Sequence, residues 1–483
     1  MPSSRCPASP RSPSPRSRRR RPSPSPPSTP CPPRWSRPPV RFSELPPTGT
    51  VVWGYGREGA AVAAELAHRG LDATIALPDA TDSAGAPADA PLPVLVGAAA
   101  VEALRAARVV VASPGVPATA PLQVELAAAG TPVTGLTDLW LGEHAGLTIG
   151  VTGTKGKSTT ASLIAHVARA VGLRSAVVGN VGTPVLSVDA DELDVVALEV
   201  SSYQARTVTT SPRVVVLTSL YAEHLPWHGG YAQYVHDKLN LLAHGPEHVV
   251  AAPGPAYDEA AARVGAATTL HRPDAEHVHA DDAGDLVWPG VGRLGAEELP
   301  LPGRHNAANC ALALRALEVA GLLDDDASRL TALASLRDFA PLAHRLEPVA
   351  SPDGRAWYDD SLATAPEAVV AALEVWPQER VLLLFGGADR GLELDPLVAY
   401  LAGRTGPVGV HAFGAAGARL AAALPSDGPH PVHLSPGFAD AVRAVLASED
   451  PARRVLFSPG APSFDEYADY RDRADALRTL LGC

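Results

Sequence analysis

The sequence predicts an α/β protein of three domains, and three observations support this fold class. The chain has 483 residues, of which 46% are hydrophobic and 19% charged, so it holds enough apolar material for several buried cores. Short runs of valine and leucine alternate with alanine-rich segments, as in parallel sheets that helices cover on both faces. A glycine-rich loop of the phosphate-binding type lies between one hydrophobic run and the alanine-rich segment that follows it. We expect domains at 46–141, 142–339 and 340–483.

The first 45 residues differ in composition from the remainder. They are mostly proline, serine and arginine, and such a segment cannot build a core, so we expect residues 1–45 to be a disordered tail. One interpretation is an electrostatic tail. We favour the other, in which translation starts later, near Val40, because Met1 is the only methionine and would then not be the true start.

Charge, cysteine content and hydropathy exclude several classes of protein. The net charge is −12 although the first 41 residues contain ten arginines and no acid, and the acidic remainder argues against binding of nucleic acid. The four cysteines show neither metal-binding nor disulfide spacing, which indicates a reducing cytoplasm. No apolar run reaches the roughly 18 residues of a membrane helix. We therefore expect a cytoplasmic protein without membrane insertion.

The first domain opens with a hydrophobic strand, a glycine-rich turn and an alanine-rich helix, which is the start of a Rossmann-like unit. Gly54, Gly56 and Gly59 form the pattern G-x-G-x-x-G, which alone would suggest a dinucleotide. The following strand ends at Leu77, with Asp79 just beyond, and carries no clear ribose-binding acid. The pattern leaves open another nucleotide ligand, or glycines that serve only packing.

The second domain contains the segment GVTGTKGKSTT between a hydrophobic strand and an alanine-rich helix. Glycines let the backbone curl around phosphates, and the N-terminus of the helix favours negative charge. Lys157 is placed to reach the β- and γ-phosphates of ATP, and Ser158 to bind Mg²⁺. The strict loop pattern would need glycine where Val151 stands, so the loop is a variant. The residues predicted to bind ATP here are Gly153, Thr154, Lys155, Gly156, Lys157, Ser158 and Thr159.

Lysine is rare in this chain, with three lysines against 37 arginines. A position that stays lysine in such a background is a candidate for chemistry that a guanidinium cannot perform. Two of the lysines lie in the phosphate loop, and the third is Lys238. Glu199 ends the strand VVALEV, where an acid is well placed to hold Mg²⁺, and His224 follows the strand VVVLTSL in the same way.

Six segments then occur in the order and at the distances found in Mur ligases: GTKGKST, GNVGTP, LEVSSYQ, LYAEHLPWHGGYAQYVHDKLNLL, GRHNAAN and AHRLE. The chain resembles this family over nearly all of residues 42–483. The resemblance implies a Rossmann-like UDP-binding domain, a P-loop ATPase domain and a C-terminal Rossmann-like domain. It also implies an ATP-dependent ligase of peptidoglycan precursor synthesis that uses two Mg²⁺ ions and an acyl-phosphate intermediate.

The resemblance assigns roles to residues of this chain in five groups. The catalytic residues would be Lys157, Glu199, His224 and Lys238. The metal site would comprise Ser158, Glu199, His224 and Lys238, the last as a CO₂-derived carbamate, which only a primary amine can form. Nucleotide binding beyond the loop would involve Asn306, Asn309, Arg345 and Asp360. The UDP-sugar substrate would contact Gly54, Gly56, Ser113, Pro114, Gly115, Asn180, Ser201 and Gln204. The incoming glutamate would contact Thr364, Arg390, Ser463 and Tyr470.

Two departures from the usual pattern favour one branch of the family. Leu362 and Arg390 stand where the branch that adds D-glutamate has lysine. This favours the variant branch that adds L-glutamate to UDP-N-acetylmuramoyl-L-alanine, with a separate epimerase acting on the product. Addition of D-glutamate stays open as an alternative.

Two other classes of function also remain as alternatives. A ligase like folylpolyglutamate synthase is disfavoured because that branch starts at the phosphate loop, whereas this chain carries a complete preceding domain. A non-catalytic regulator that binds a nucleotide is disfavoured because Lys157, Glu199, His224 and Lys238 are all retained. We expect a monomer whose partners are its small-molecule substrates.

Overall fold

A computed structural model describes residues 41–79, 90–117, 119–180, 183–223, 225–301, 303–389, 394–425 and 428–483. Within this part, three sheets made largely of parallel strands follow one another along the chain, each covered by helices. This is the α/β architecture that the alternation of apolar and alanine-rich segments predicts.

The first sheet has five parallel strands in the order β3-β2-β1-β4-β5. Its strands are β1 Thr48–Trp53, β2 Asp72–Leu77, β3 Val94–Val96, β4 Val109–Ala112 and β5 Val133–Thr134. Its helices are α1 Arg57–His68, α2 Gly97–Ala106, α3 Pro121–Ala129 and α4 Leu136–His144. The strand order reverses between β1 and β4, and the crevice at such a reversal is where open α/β sheets bind ligands.

The second sheet has six parallel strands in the order β11-β10-β9-β6-β8-β7. Its strands are β6 Thr148–Thr152, β7 Ser175–Gly179, β8 Val195–Glu199, β9 Val214–Leu217, β10 His248–Ala251 and β11 Thr269–His271. The helices that accompany it are α5 Lys157–Ala170, α6 Ser202–Ala205, α7 Leu225–His228, α8 Tyr231–Leu239 and α9 Pro255–Ala261. Because β6 lies between β8 and β9, the loop after β6 has a strand end on each side.

A small antiparallel sheet follows, which the sequence patterns do not predict. It consists of β12 His279–Ala280, β13 Leu286–Trp288 and β14 Gly292–Leu294. Two helices come after it, α10 Arg304–Val319 and α11 Asp326–Ser335. The buried side chains of α10 share an apolar cluster with those of α5, so α10 lies behind the phosphate loop's own helix.

The third sheet has six strands in the order β15-β16-β20-β17-β18-β19, with only β15 antiparallel. Its strands are β15 Glu347–Val349, β16 Ala356–Asp359, β17 Val381–Gly386, β18 Val408–Phe413, β19 Val432–Ser435 and β20 Arg454–Phe457. Its helices are α12 Pro366–Leu373, α13 Asp395–Gly403, α14 Gly414–Ala423, α15 Phe438–Leu446 and α16 Tyr470–Leu481.

Helix α4 connects the first sheet to the second. Its apolar side chains belong to one buried cluster that contains residues of both sheets. Asp138 on the same helix is 1% exposed and accepts hydrogen bonds from Thr134 Oγ1 at 2.9 Å and from the Thr209 backbone N–H at 2.6 Å. Burial raises the pKa of this carboxyl group. The domain boundary expected after residue 141 falls inside this helix, so the two units share structure there.

The third sheet buries its apolar surface differently. The two clusters on its faces contain only residues between Leu346 and Leu481, among the residues that the structure describes. It therefore carries its own core. None of the described helices is long and apolar enough to cross a bilayer.

A pair of histidines at the edge of the second sheet is held in the neutral form. His271 Nε2 lies 3.1 Å from His248 Nδ1, and Arg315 Nη2 lies 3.2 Å from His271 Nδ1. Burial, the charge of Arg315 and the neighbouring His248 and His277 lower the pKa of His271 from 6.5 to about 4.

We predict that this pair makes folding sensitive to acid. Between about pH 6.5 and pH 4 the unfolded chain protonates His271 and the folded chain does not, so the free energy of unfolding should fall as the pH falls through this window. Urea unfolding at pH 7.5, 6 and 5 should show a smaller fall for His271→Gln than for the wild type. His68→Gln, at an exposed position of α1, is the control. Equal pH dependence of all three proteins would contradict the prediction.

Candidate active site

The predicted phosphate loop lies between β6 and the N-terminus of α5, as expected. Gly153 and Gly156 have φ angles of 144° and 86°, which side chains rarely adopt. A Cβ on Gly153 would lie 2.1 Å from Thr218 Oγ1, and a Cβ on Gly156 would lie 2.6 Å from Asn309 Oδ1. Only glycine fits at both positions, because Thr218 and Asn309 leave no room for a side chain. These neighbours therefore fix the backbone conformation of the loop.

Two predicted nucleotide-binding residues touch this loop from behind. Asn306 and Asn309 are buried on α10, and Asn309 Nδ2 lies 3.3 Å from Asn306 Oδ1. Because the Asn309 amide packs against Gly156, the structure brings both asparagines to the loop.

The three lysines of the chain converge on the loop. Lys157 Nζ donates to Thr154 O at 2.9 Å, and Lys238 Nζ, on α8, donates to Gly153 O at 2.8 Å. Lys238 is only 2% exposed. Burial lowers the pKa of both Lys157 and Lys238, and the charge of Lys157 lowers that of Lys238 further. Two desolvated amines thus stand beside a loop shaped for phosphates, and an anionic ligand would stabilise their charged forms.

Glu199 presents an unsatisfied carboxylate oxygen to the same region. It ends β8, is 1% exposed, and accepts a hydrogen bond from Asn180 Nδ2 at 2.8 Å through Oε1. Its Oε2 is buried and has no hydrogen-bond partner among the described residues. The charge of Glu199 opposes the lowering of the pKa of Lys157 and Lys238, which shows that it lies near both. Mg²⁺ binds carboxylate oxygens, and this one is buried without a hydrogen-bond partner among the described residues. The residues at this site therefore fit the predicted Mg²⁺.

Ser158 lies in the first turn of α5, where its hydroxyl can join the same metal site. His224, the remaining predicted metal-site residue, lies outside the described residues.

Glu223 belongs to this region and was missed by the sequence interpretation. Its Oε1 accepts a hydrogen bond from Lys155 Nζ at 2.7 Å, and its charge raises the pKa of Lys157 and Lys238 against the effect of burial. It follows β9 much as Glu199 ends β8. An acid after each strand that flanks the phosphate loop was a signal that could have identified it.

A cavity of about 760 Å³ opens where the strand order of the first sheet reverses. Its volume lies in the range of small-molecule sites. Predicted UDP-sugar residues line it: Gly54, Gly56, Ser113, Pro114, Gly115, Asn180 and Gln204. Ser201 is the one residue of that predicted group that does not line the cavity. Asn180 connects the cavity to the metal site, because it lines the first and donates to Glu199 in the second.

A hydrogen-bonded chain orients Gln204 towards this cavity. Ser201 donates to Gln204 Oε1 from its backbone N–H at 2.8 Å and from its hydroxyl at 2.9 Å. Gln204 Nε2 in turn donates to Glu58 Oε1 at 2.5 Å. Glu58, on α1, lines the cavity, and burial raises the pKa of its carboxyl group. Glu58 occupies a variable position of the glycine pattern, so nothing in the sequence singled it out.

A second buried chain joins the helices around Lys238. His228 Nδ1 lies 2.7 Å from Asp237 Oδ2, and His228 Nε2 lies 3.0 Å from Ser202 Oγ. All three side chains are at most 2% exposed, so the serine is not open to a substrate. The chain fixes α8, which carries Lys238, against α6, which carries Gln204.

Arg345 and Asp360 link the loop to the third sheet. Arg345 stands between His344 and Leu346, whose φ angles of 63° and 48° are unusual for residues other than glycine. The charge of Arg345 helps to lower the pKa of Lys157. For Asp360 the largest effect is burial, which raises the pKa of the carboxyl group to about 7. A hydrogen bond of 2.6 Å from Ser458 Oγ to Asp360 Oδ2 and the charge of Arg345 only partly oppose this rise.

The residues predicted to bind glutamate lie at the carboxyl edge of the third sheet. Thr364 is exposed after β16, and Ser463 is 2% exposed after β20. The turns that carry them are joined by a hydrogen bond of 3.0 Å from the Gly460 backbone N–H to Ala363 O. Tyr470 begins α16, and its ring centroid lies 5.6 Å from that of His344. Arg390 lies outside the described residues.

Two family profiles match the chain. The Mur ligase middle domain covers residues 151–317, and the glutamate ligase domain of Mur ligases covers residues 344–460. The first range contains five of the six segments on which the resemblance was based, and the second contains the sixth from His344 onward.

Curated relatives match over nearly the whole chain. A protein of Salinispora tropica named UDP-N-acetylmuramoyl-L-alanine–L-glutamate ligase is 40% identical over 458 residues, which are 92% of this chain and 100% of the relative. A protein of the same name from a Micromonospora species is 39% identical, over 92% of this chain and 99% of the relative. A third protein of that name, from Xanthomonas campestris pv. campestris, is 37% identical, over 92% of this chain and 97% of the relative.

Solved structures share the fold at low sequence identity. MurF from Acinetobacter baumannii aligns with a TM-score of 0.56 and 16% identity, covering 92% of this chain and 93% of the other. UDP-N-acetylmuramate–alanine ligase from Thermotoga maritima aligns with a TM-score of 0.53 and 18% identity, covering 90% and 99%. The fold class predicted from the sequence is confirmed. With two matching profiles and a relative that is 40% identical over 92% of this chain, the chain belongs to the Mur ligase family.

Proposed function

We propose that the protein is an ATP-dependent ligase that joins L-glutamate to UDP-N-acetylmuramoyl-L-alanine in peptidoglycan precursor synthesis. The structural observation that carries the proposal is the position of Asn180, which lines the nucleotide-sugar cavity and donates to Glu199 at the phosphate loop. This arrangement would bring an acceptor carboxylate to the γ-phosphate of ATP. The choice of L-glutamate rests on the names of the curated relatives.

The reaction has two steps. An oxygen of the alanyl carboxylate attacks the γ-phosphorus of ATP, the bond from that phosphorus to its bridging oxygen breaks, and ADP leaves. The unprotonated amine of glutamate then attacks the acyl carbon, the C–N bond forms, the C–O bond to phosphate breaks, and inorganic phosphate leaves with the amine proton released to solvent. Both steps depend on positioning and on charge neutralisation more than on covalent help from the protein.

The described side chains have separate tasks in these steps. Lys157 exchanges its contact with Thr154 O for the γ-phosphate and neutralises charge there. Asn180 and Gln204 hold the muramoyl-alanine end of the acceptor, and Gln204 is kept in place by Glu58 and Ser201. Arg345, whose charge acts on Lys157, adds positive charge near the nucleotide.

Glu199, Ser158 and Lys238 would hold Mg²⁺, with His224 serving the same site. When bound, the ions offset the repulsion between the acceptor carboxylate and the triphosphate. We propose that Lys238 takes part as a CO₂-derived carbamate. Burial supports this, because it lowers the pKa of Lys238 and so favours the neutral amine that reacts with CO₂.

We propose three further properties on the same basis. The domains 46–141, 142–339 and 340–483 serve the UDP-sugar, ATP and glutamate respectively, with residues 1–45 outside them. The enzyme acts in the cytoplasm, because its nucleotide substrates are found in that compartment. It acts as a monomer. A separate epimerase would invert the added L-glutamate.

The enantiomer is tested directly by ATP-dependent phosphate release. With UDP-N-acetylmuramoyl-L-alanine as acceptor, we predict release with L-glutamate and at most about 1% of that rate with D-glutamate, since a site built to pair both carboxylates misplaces the amine of the mirror image. Omission of the acceptor is the control. Release with D-glutamate alone would make the protein an ordinary D-glutamate ligase.

Lys238→Arg tests the carbamate. Arginine keeps the positive charge but cannot be carbamylated, so we expect kcat to fall by roughly 100-fold or more. Wild-type activity should fall in CO₂-free buffer and return when bicarbonate is added, whereas the variant should not respond. Retained activity in Lys238→Arg, or a wild type indifferent to bicarbonate, would exclude the carbamate. Equal thermal unfolding of both proteins would show that the change is local.

A further inference from the structure

Arg473, on α16, is a cation buried at the carboxyl edge of the third sheet. It is 1% exposed, and its guanidinium donates to Ala461 O at 3.0 Å, Gly386 O at 3.3 Å and Pro462 O at 3.4 Å. Its Nε has no hydrogen-bond partner among the described residues. The guanidinium carbon also lies 5.7 Å from the centroid of the Phe457 ring. Burying a charge is costly unless it is compensated, so a guanidinium whose hydrogen bonds within the described residues go only to carbonyl oxygens suggests a role beyond packing.

The three carbonyl groups belong to two turns at the edge where the glutamate site is proposed. Gly386 ends β17 and is followed by a described turn up to Asp389, whereas Arg390, the next residue in the sequence, lies outside the described residues. Ala461 and Pro462 directly precede Ser463 in the turn after β20. The two turns are also joined by a hydrogen bond of 2.9 Å from the Ala388 backbone N–H to Pro462 O. Arg473 therefore connects the end of β17 to the turn that carries Ser463, through hydrogen bonds to both.

The charge of Arg473 persists in this environment. Burial lowers its pKa to about 10, with Asp465, Asp359 and Glu466 acting in the opposite direction, so the group is still protonated at neutral pH. All of its hydrogen bonds within the described part of the chain go to backbone carbonyls. The nearby acids offset part of this charge, and the remainder contributes positive potential at the strand ends, where an amino acid with two carboxylates would bind.

We propose that Arg473 is a positioning residue for the incoming glutamate, fixing the turn of Ser463 against the turn after β17 and supplying positive potential to this edge of the sheet. The proposal rests on the proposed function, because it takes the third sheet to be the glutamate site. Arg473 acts through the two turns and not by touching the substrate.

The test compares Arg473→Met and Arg473→Lys with the wild type in steady-state assays on the full chain. We expect KM for L-glutamate to rise about tenfold to 100-fold in Arg473→Met, with KM for ATP and for the acceptor changed less than about twofold. Arg473→Lys keeps the charge but loses the planar fork that reaches several carbonyls, so its KM for glutamate should lie between the other two.

Arg355→Met is a matched control. Arg355 also lies in the third sheet's unit, with its side chain 13% exposed, and donates to three backbone carbonyls: Val445 O at 2.9 Å, Ser448 O, and Asp450 O at 3.5 Å. It lies at the opposite, amino edge, just before β16. Its loss should destabilise the fold in urea without a selective effect on glutamate. If Arg355→Met and Arg473→Met changed the three KM values alike, Arg473 would be merely structural and the proposal overturned.

Equilibrium binding separates this inference from the proposed function. L-glutamate binding can be measured by calorimetry with the acceptor and a non-hydrolysable ATP analogue present, even if turnover fails. Similar Kd values for the wild type and Arg355→Met, with binding at least about tenfold weaker in Arg473→Met, would support the proposal. Equal Kd values in all three proteins, or no binding by the wild type, would overturn it. Binding without turnover would count against the proposed function alone.

Discussion

Two lysines that donate to carbonyl oxygens of the phosphate loop, Lys238 buried and Lys157 half-buried, determine how the centre of this protein is arranged. Lys157 and Lys238 bind neighbouring carbonyls, at Thr154 and Gly153, and each charge disfavours the other. Such a pair is stable only where negative charge lies close by. Glu199 and Glu223 after the flanking strands supply part of it, and the remaining positive potential is what a triphosphate meets on entering. The parallel sheet makes this possible, because it delivers three strand ends to one edge.

Much of this centre could be predicted because its signals are local. The phosphate loop is a contiguous segment, Glu199 ends a readable strand, and Lys238 was marked by the scarcity of lysine in an arginine-rich chain. Glu58 and His228 were not singled out because their roles arise only from contacts across the fold. Glu58 meets Gln204 from 146 positions away, and His228 meets Ser202 from 26. No pattern within a single segment encodes such pairs.

The fold shows the same division between local and non-local information. Buried parallel strands can be recognised as apolar runs, and the runs VVALEV and VVVLTSL contain β8 and β9 of the second sheet. The small antiparallel sheet of β12 to β14 was not anticipated, since its strands are only two or three residues long. Helix α4 shows a further limit. In the sequence this helix appears as the end of the first α/β unit. Only the packing shows that its apolar side chains also belong to the core of the second unit.

The first two sheets share a core and the third has its own, and this difference decides how far the effect of a substitution spreads. The first two sheets are joined through α4 and Asp138, whereas the third sheet encloses apolar clusters of its own. Substitutions around the cavity and the phosphate loop therefore act on a core that two sheets share, so a change made for one sheet also reaches the other. Substitutions in the strand-end turns of the third sheet act on a unit with its own core and leave the shared core undisturbed.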